Sequence, residues 1–181
     1  MKTYVALLRG INVSGQHTIP MAALKSSFSH LDYGDIQIYL QSGNVVFRAR
    51  QSDEAELAAA IKARVTADFG HVVPVLVVSA KSLDRIIRSN PLRPKVGGDE
   101  KLFHCTFLFQ PVSPDVFQAV KLPMTVGEHA VLVEDAVMLH CPHGYGKTKL
   151  NNSFFERVLG VTATTRNWRT VLALQALCAA P

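Results

Sequence analysis

The chain has 181 residues, 48% hydrophobic and 18% charged, which supplies a packed core and excludes a disordered chain. Three irregularly spaced cysteines, Cys105, Cys141 and Cys178, exclude a disulfide scaffold and lead us to expect a reducing, cytoplasmic setting. A net charge of +5 admits anionic partners such as nucleotides or nucleic acid, although solubility alone accounts for a charge of that size.

The apolar run after Thr3 meets a charge at Arg9, too soon for a secretory signal, and no stretch nears the ~20 apolar residues that span a bilayer, so no membrane partner is expected. Tyr4 to Leu8 reads as a strand apolar on both faces and hence central in a sheet. Arg9 to Ile19 is a polar, glycine-containing loop. Pro20 then suits a first helical turn, and Met21, Leu24, Phe28 and Leu31 form one buried stripe. After a break at Tyr33-Gly34-Asp35, Ile36 to Leu40 alternates as a strand, Ser42-Gly43 turns, and Asn44 to Arg48 returns. Asp53 and Glu56 resemble a capping box for a helix with the stripe Leu57, Ile61, Val65 and Phe69, ended by Gly70. Val72 to Val78 is β-branched and reads as a strand. The order is βαββαβ, the ferredoxin-like arrangement.

A helix from Ser82 to Arg88 and a Pro/Gly-rich linker from Asn90 to Lys101 follow. The second half repeats the scheme: a strand at Phe103 to Phe109, a helix at Pro114 to Val120, and a hairpin of Val126 to Val133 with Ala136 to His140. A glycine-rich loop then leads to a helix near Leu150 to Leu159, a strand at Val161 to Thr164 and a helix from Arg166 to Ala179, with Thr165 as its N-cap. The expected fold is α+β, with ferredoxin-like subdomains at 1–80 and 102–181 joined by a helix and linker over 81–101.

Four strings carry a family resemblance: Tyr4-Val5-Ala6-Leu7-Leu8-Arg9-Gly10-Ile11-Asn12-Val13, Gln41-Ser42-Gly43-Asn44-Val45-Val46-Phe47, Gly144-Tyr145-Gly146-Lys147-Thr148-Lys149-Leu150 and Ala163-Thr164-Thr165-Arg166-Asn167-Trp168. Together they resemble the bacterial family called domain of unknown function 1697. The resemblance implies two ferredoxin-like (alpha-beta plait) subdomains and brings no activity, cofactor or catalytic residue. Ser14 departs from the family pattern, which has glycine there.

Topology predicts one rim cluster. The first and second strands of a βαββαβ unit run parallel, so both exits share one border. That border gathers Arg9, Asn12, Gln41, Ser42 and Asn44, where loop N–H groups and a cation suit a phosphate or carboxylate. The competing reading has these side chains satisfying loop backbone groups. A second basic cluster comprises Lys147, Lys149, Arg166 and Arg169, to be judged by whether they converge on a concavity. Two nucleotide-loop matches fail. Gln16-His17 replaces the required Lys-Ser/Thr after Gly15, and Cys141 stands where Gly144-Tyr145-Gly146-Lys147-Thr148 needs its leading glycine.

His140-Cys141-Pro142-His143 is too crowded for one metal, Cys105 and Trp168 read as core, and the string Ser42 to Phe47 lacks the aromatic pattern of an RNA-binding sheet. No cofactor or metal is expected. Three functions stay open: an anion-binding module for a nucleotide, phosphometabolite or nucleic-acid backbone; a small enzyme with a site between subdomains; and an oligomerising or interaction module using sheet edges.

Overall fold

From Tyr4 onward β1 (Lys2–Leu8) is buried on both faces, which places it inside a sheet. The computed structural model describes residues 1–50, 53–94 and 98–180. Among them it shows an α+β chain with two four-stranded antiparallel sheets and six helices. Two compact units divide the chain, one of residues 1–84 with 173–181 and the other of residues 85–172.

In the first unit, α1 (Met21–Ser29), β2 (Gly34–Tyr39), β3 (Asn44–Ala49), α2 (Glu54–Phe69) and β4 (Val75–Ser79) follow β1, and the sheet order is β2-β3-β1-β4. One sheet face carries Tyr4, Ala6, Leu8, Val45, Phe47 and Val77 into a core with Leu24 and Phe28 of α1 and Leu57, Ile61 and Val65 of α2. The helical stripes read from the sequence are the ones buried, apart from their ends, Met21, Leu31 and Phe69, which are partly buried. Asp53 caps α2 by accepting from the Ala55 amide at 2.7 Å. Glu54 accepts from Ser79 N at 2.7 Å and ties α2 to β4.

The second unit repeats the order. β5 (Phe103–Leu108), α4 (Pro114–Gln118), β6 (His129–Val133), β7 (Ala136–His140), α5 (Asn152–Leu159) and β8 (Ala163–Asn167) give a sheet in the order β6-β7-β5-β8. Leu108, Val137, Leu139, Ala163, Phe117 of α4, and Phe154 and Phe155 of α5 form its core. The remaining helices are α3 (Ala80–Arg88) and α6 (Trp168–Ala179).

Several boundaries differ from the expectation, each for a local reason. β4 starts at Val75, not Val72; Val72 is exposed and the Pro74 carbonyl accepts instead from Arg9 N at 2.9 Å. α3 starts at Ala80 and leaves no gap after β4. The hairpin's first strand starts at His129, because Gly127 (φ 83°) and the Glu128 N–H to Thr125 carbonyl bond make a turn before it. α4 ends at Gln118, and α5 starts at Asn152 behind the cap Asn151, which accepts from Phe154 N at 3.0 Å. The last strand runs to Asn167, so Thr165 is not a cap; Asn167 Oδ1 accepts from Arg169 N at 3.0 Å. Residues 95–97 of the expected linker lie outside the described residues.

The loop after β1 is a miniature hairpin. Ser14 (φ 51°) and Gly15 (φ 75°) sit at its tip, closed by Gln16 N to Val13 O at 2.9 Å and Asn12 N to His17 O at 3.2 Å. Both tip residues have left-handed backbone, as a type I′ turn requires. Serine there is strained, so Ser14→Gly is expected to raise stability by about 0.5–1 kcal/mol in urea unfolding, with unchanged slope.

Candidate functional site

β1 and β2 both pair antiparallel with β3 and therefore run parallel to each other, so their exits meet at one border. The meeting is close: Leu8 N donates to Gly43 O at 2.8 Å, and Asn12 Nδ2 donates to Gln41 O at 2.8 Å. Asn12 is fully committed, since Nδ2 also reaches Ile19 O at 3.0 Å and Oδ1 accepts from Ile19 N at 2.8 Å. Asn44 is buried and donates to Tyr39 O at 2.8 Å and Ser42 Oγ at 2.9 Å, closing the turn between β2 and β3. Arg9 is half-buried, with its amide on Pro74 O. The structure brings Arg9, Asn12, Gln41, Ser42 and Asn44 together, and the polar atoms of Asn12 and Asn44 are occupied in fixing the two loops.

The second cluster separates. Arg166 belongs to β8, not to a helix start, and is 7% exposed. Its Nη1 donates to Thr164 Oγ1 at 2.7 Å and Thr165 O at 3.0 Å, and burial pulls its pKa down to about 10. Arg169 is exposed and lies 3.8 Å from Glu100 and 4.0 Å from Asp99. Lys147 sits exposed in a short turn, Tyr145–Lys147. Lys149 alone of the four lines a described concavity.

That concavity, of about 410 Å³, opens at the start of α5. Lys149, Asn151, Ser153 and Arg157 supply its polar lining, with Pro123 and Phe154 on the apolar side. Lys149, Ser153 and Arg157 follow at four-residue intervals, which keeps Ser153 and Arg157 on one face of α5. The first turn of α5 carries no acid, and the amides it leaves free attract negative charge. Neither Lys149 nor Arg157 has an acidic partner among the described residues; the Arg157 guanidinium lies 5.8 Å from the Phe154 ring centre. The Thr148 hydroxyl accepts from Leu150 N at 3.1 Å and also serves the buried carboxylate of Glu128. Burial raises the Glu128 pKa, but the Thr125 amide, the Thr148 and Thr125 hydroxyls and His143 together outweigh it and hold the pKa below the usual value.

A separate polar patch lies under α5. The Thr106 and Thr165 hydroxyls are 2.7 Å apart across β5 and β8, and Thr165 donates to Asn152 Oδ1 at 2.6 Å. Beside them His104 is buried, stacks on Tyr145 at 4.6 Å and meets Asn167 Nδ2 through Nε2 at 3.3 Å. The thiols are poor nucleophiles, because burial pushes Cys105 far up and Cys141 and Cys178 to about 11. The side chains of His140, Cys141 and His143 diverge: His140 stacks on Phe103, Cys141 is buried, and His143 Nε2 lies 3.2 Å from Val126 O. Trp168 is core.

Sequence reasoning missed Arg157 and Ser153. The signal was available as the four-residue spacing from Lys149, which becomes visible once α5 is placed.

A family model described as "Protein of unknown function (DUF1697)" matches residues 1–138, a span that stops short of α5. No curated protein matches the chain. Among solved structures, the conserved bacterial protein SP0830 from Streptococcus pneumoniae is similar, with a TM-score of 0.74 and 18% identity over 98% of each chain.

Proposed function

The chain belongs to the family described as protein of unknown function (DUF1697), and for this member we propose anion binding at the opening of α5, on a frame of two ferredoxin-like units. The sheet orders β2-β3-β1-β4 and β6-β7-β5-β8, each with its helices in βαββαβ sequence, support the frame. The observation that carries the function is the pair of cations, Lys149 and Arg157, facing one cavity at an acid-free helix start without an acid of their own. The ligand class is an oxyanion with a small apolar part, such as a phosphomonoester, its phosphate between Lys149, Arg157 and Ser153 and its carbon skeleton against Phe154 and Pro123. In this reading Arg9, Asn12, Gln41, Ser42 and Asn44 shape the first unit's loops, and Lys147 adds long-range attraction. The arrangement points to binding and offers no activated nucleophile for catalysis.

Pyrophosphate is a suitable probe in thermal unfolding and calorimetry. A saturating concentration is expected to raise Tm by a few degrees, and Arg157→Ala or Lys149→Ala to weaken binding about tenfold or more. Affinity should also fall with added salt. Equal binding by wild type and the Lys149→Ala/Arg157→Ala double variant would remove the site.

A further inference from the structure

Two histidine pairs bring their rings together, and only one of them has the geometry to share an ion. His129 and His140 face each other across β6 and β7, nearly parallel at 12° with ring centres 6.1 Å apart. Rings stacked in this way meet face to face, whereas the nitrogen lone pairs lie in the ring plane. His17 and His71 differ, with ring centres 5.0 Å apart and planes inclined at 57°. A metal about 2.0–2.1 Å from one nitrogen of each ring sets the ring centres about 4.5–5.2 Å apart, for bond angles from square to tetrahedral. The observed separation falls inside that range.

Both residues belong to the first unit, and the main chain of each is anchored. His17 ends the miniature hairpin after β1, its carbonyl accepting from Asn12 N at 3.2 Å. His71 follows Gly70 (φ 70°), the left-handed cap of α2, and its carbonyl accepts from Thr66 Oγ1 at 3.2 Å. Neither imidazole has a hydrogen-bond partner among the described residues, so their nitrogens are available. The pair also sits at the C-terminal end of a 16-residue helix whose last turn carries no basic residue. The carbonyls left free there bear partial negative charge and favour a cation.

We propose that His17 and His71 hold a divalent transition-metal ion of the zinc, nickel or copper class between the loop after β1 and the end of α2. Imidazole nitrogen suits these borderline ions, whereas magnesium and calcium require oxygen ligands. Among the described residues no third histidine, cysteine or carboxylate joins the pair, so water fills the remaining positions. With only two protein ligands the ion binds weakly and keeps exchangeable positions open. It clips together two segments that the Arg9 N to Pro74 O bond already brings close.

Calorimetric titration of the full chain, free of any affinity tag, with zinc, nickel and magnesium chlorides tests this. Zinc and nickel are expected to bind and magnesium to give no heat. His17→Ala and His71→Ala should each weaken zinc binding at least tenfold (about 1.4 kcal/mol), while His129→Ala leaves it unchanged. A second readout uses the wild-type protein alone and so stands even if a variant misfolds. Substoichiometric copper(II), a paramagnetic ion, should broaden the NMR signals of His17, His71 and their neighbours before those around His129, His140 and His143. Equal zinc affinity in wild type and both folded variants, equal binding of magnesium, or first broadening at residues 129–143 overturns the proposal.

Discussion

Replacing Gly43 with alanine is expected to lower the unfolding free energy by about 3–4 kcal/mol, more than any other single-methyl insertion in the first unit's loops. Gly43 has φ 79°, and a Cβ there would lie 2.8 Å from both Leu8 Cβ and Ile11 Cδ1. Neither neighbour can retreat easily. Leu8 Cβ is fixed by the strand whose amide bonds Gly43 O at 2.8 Å, and Ile11 is only 1% exposed. The backbone penalty of about 1–2 kcal/mol thus adds to an overpacking penalty of about 1–3 kcal/mol. Gly10→Ala supplies the control, because Gly10 shares the left-handed backbone (φ 73°) but its Cβ meets nothing within 4 Å. It should lose the backbone part alone. Urea unfolding of the two variants separates the parts, and a Gly43→Ala loss no larger than that of Gly10→Ala would falsify the clasp between the β1 exit and the β2–β3 turn.

That clasp explains why the strings around Arg9 and Gln41 stood out in the sequence. The border they share was legible because strand direction follows from the element order alone. What the side chains do there was not. Asn12 and Asn44 are residues that suit an anion site or a loop lock equally well, and their bonds to Gln41, Ile19 and Tyr39 become visible only in the folded chain. Helical stripes such as Leu57, Ile61 and Val65 were legible because burial repeats with the helix period.

The end of the second unit was misread for a different physical reason. Thr164, Thr165, Arg166 and Asn167 look like a polar cap before a helix, yet they form a strand. Their polar groups find partners across the sheet and from α5: Thr165 at Thr106 and Asn152, Asn167 at His104. Local pattern cannot register partners 59 or 63 residues away. With Arg166 in β8, only Lys149 of the four basic residues lines a described concavity, and Arg157 lines it too.

The same polar patch sets how the protein responds to acid. His104 is 7% exposed, and burial pulls its pKa from 6.5 down to about 4, opposed weakly by the Leu102 carbonyl. Its Nε2 accepts from Asn167, a bond that requires the neutral ring. Above pH 6.5 both folded and unfolded chains hold His104 neutral, so its titration costs no stability there. As pH falls through 6.5 the unfolded chain takes up a proton that the folded chain refuses, and stability drops by about 1.4 kcal/mol per pH unit. The loss levels off near pH 4, where the folded histidine also protonates, after a total on the order of 3 kcal/mol. Carboxylates held below their usual range, Glu128 and Asp68, act at lower pH, so the window between about 6.5 and 4.5 belongs to His104 among the groups with resolved shifts. His104→Gln keeps a polar side chain with no titration. Urea unfolding of both proteins from pH 7.5 to 4.5 should therefore show the wild type losing about 2–3 kcal/mol more than the variant. Parallel pH profiles would mean that His104 reaches solvent and is charged in the folded state.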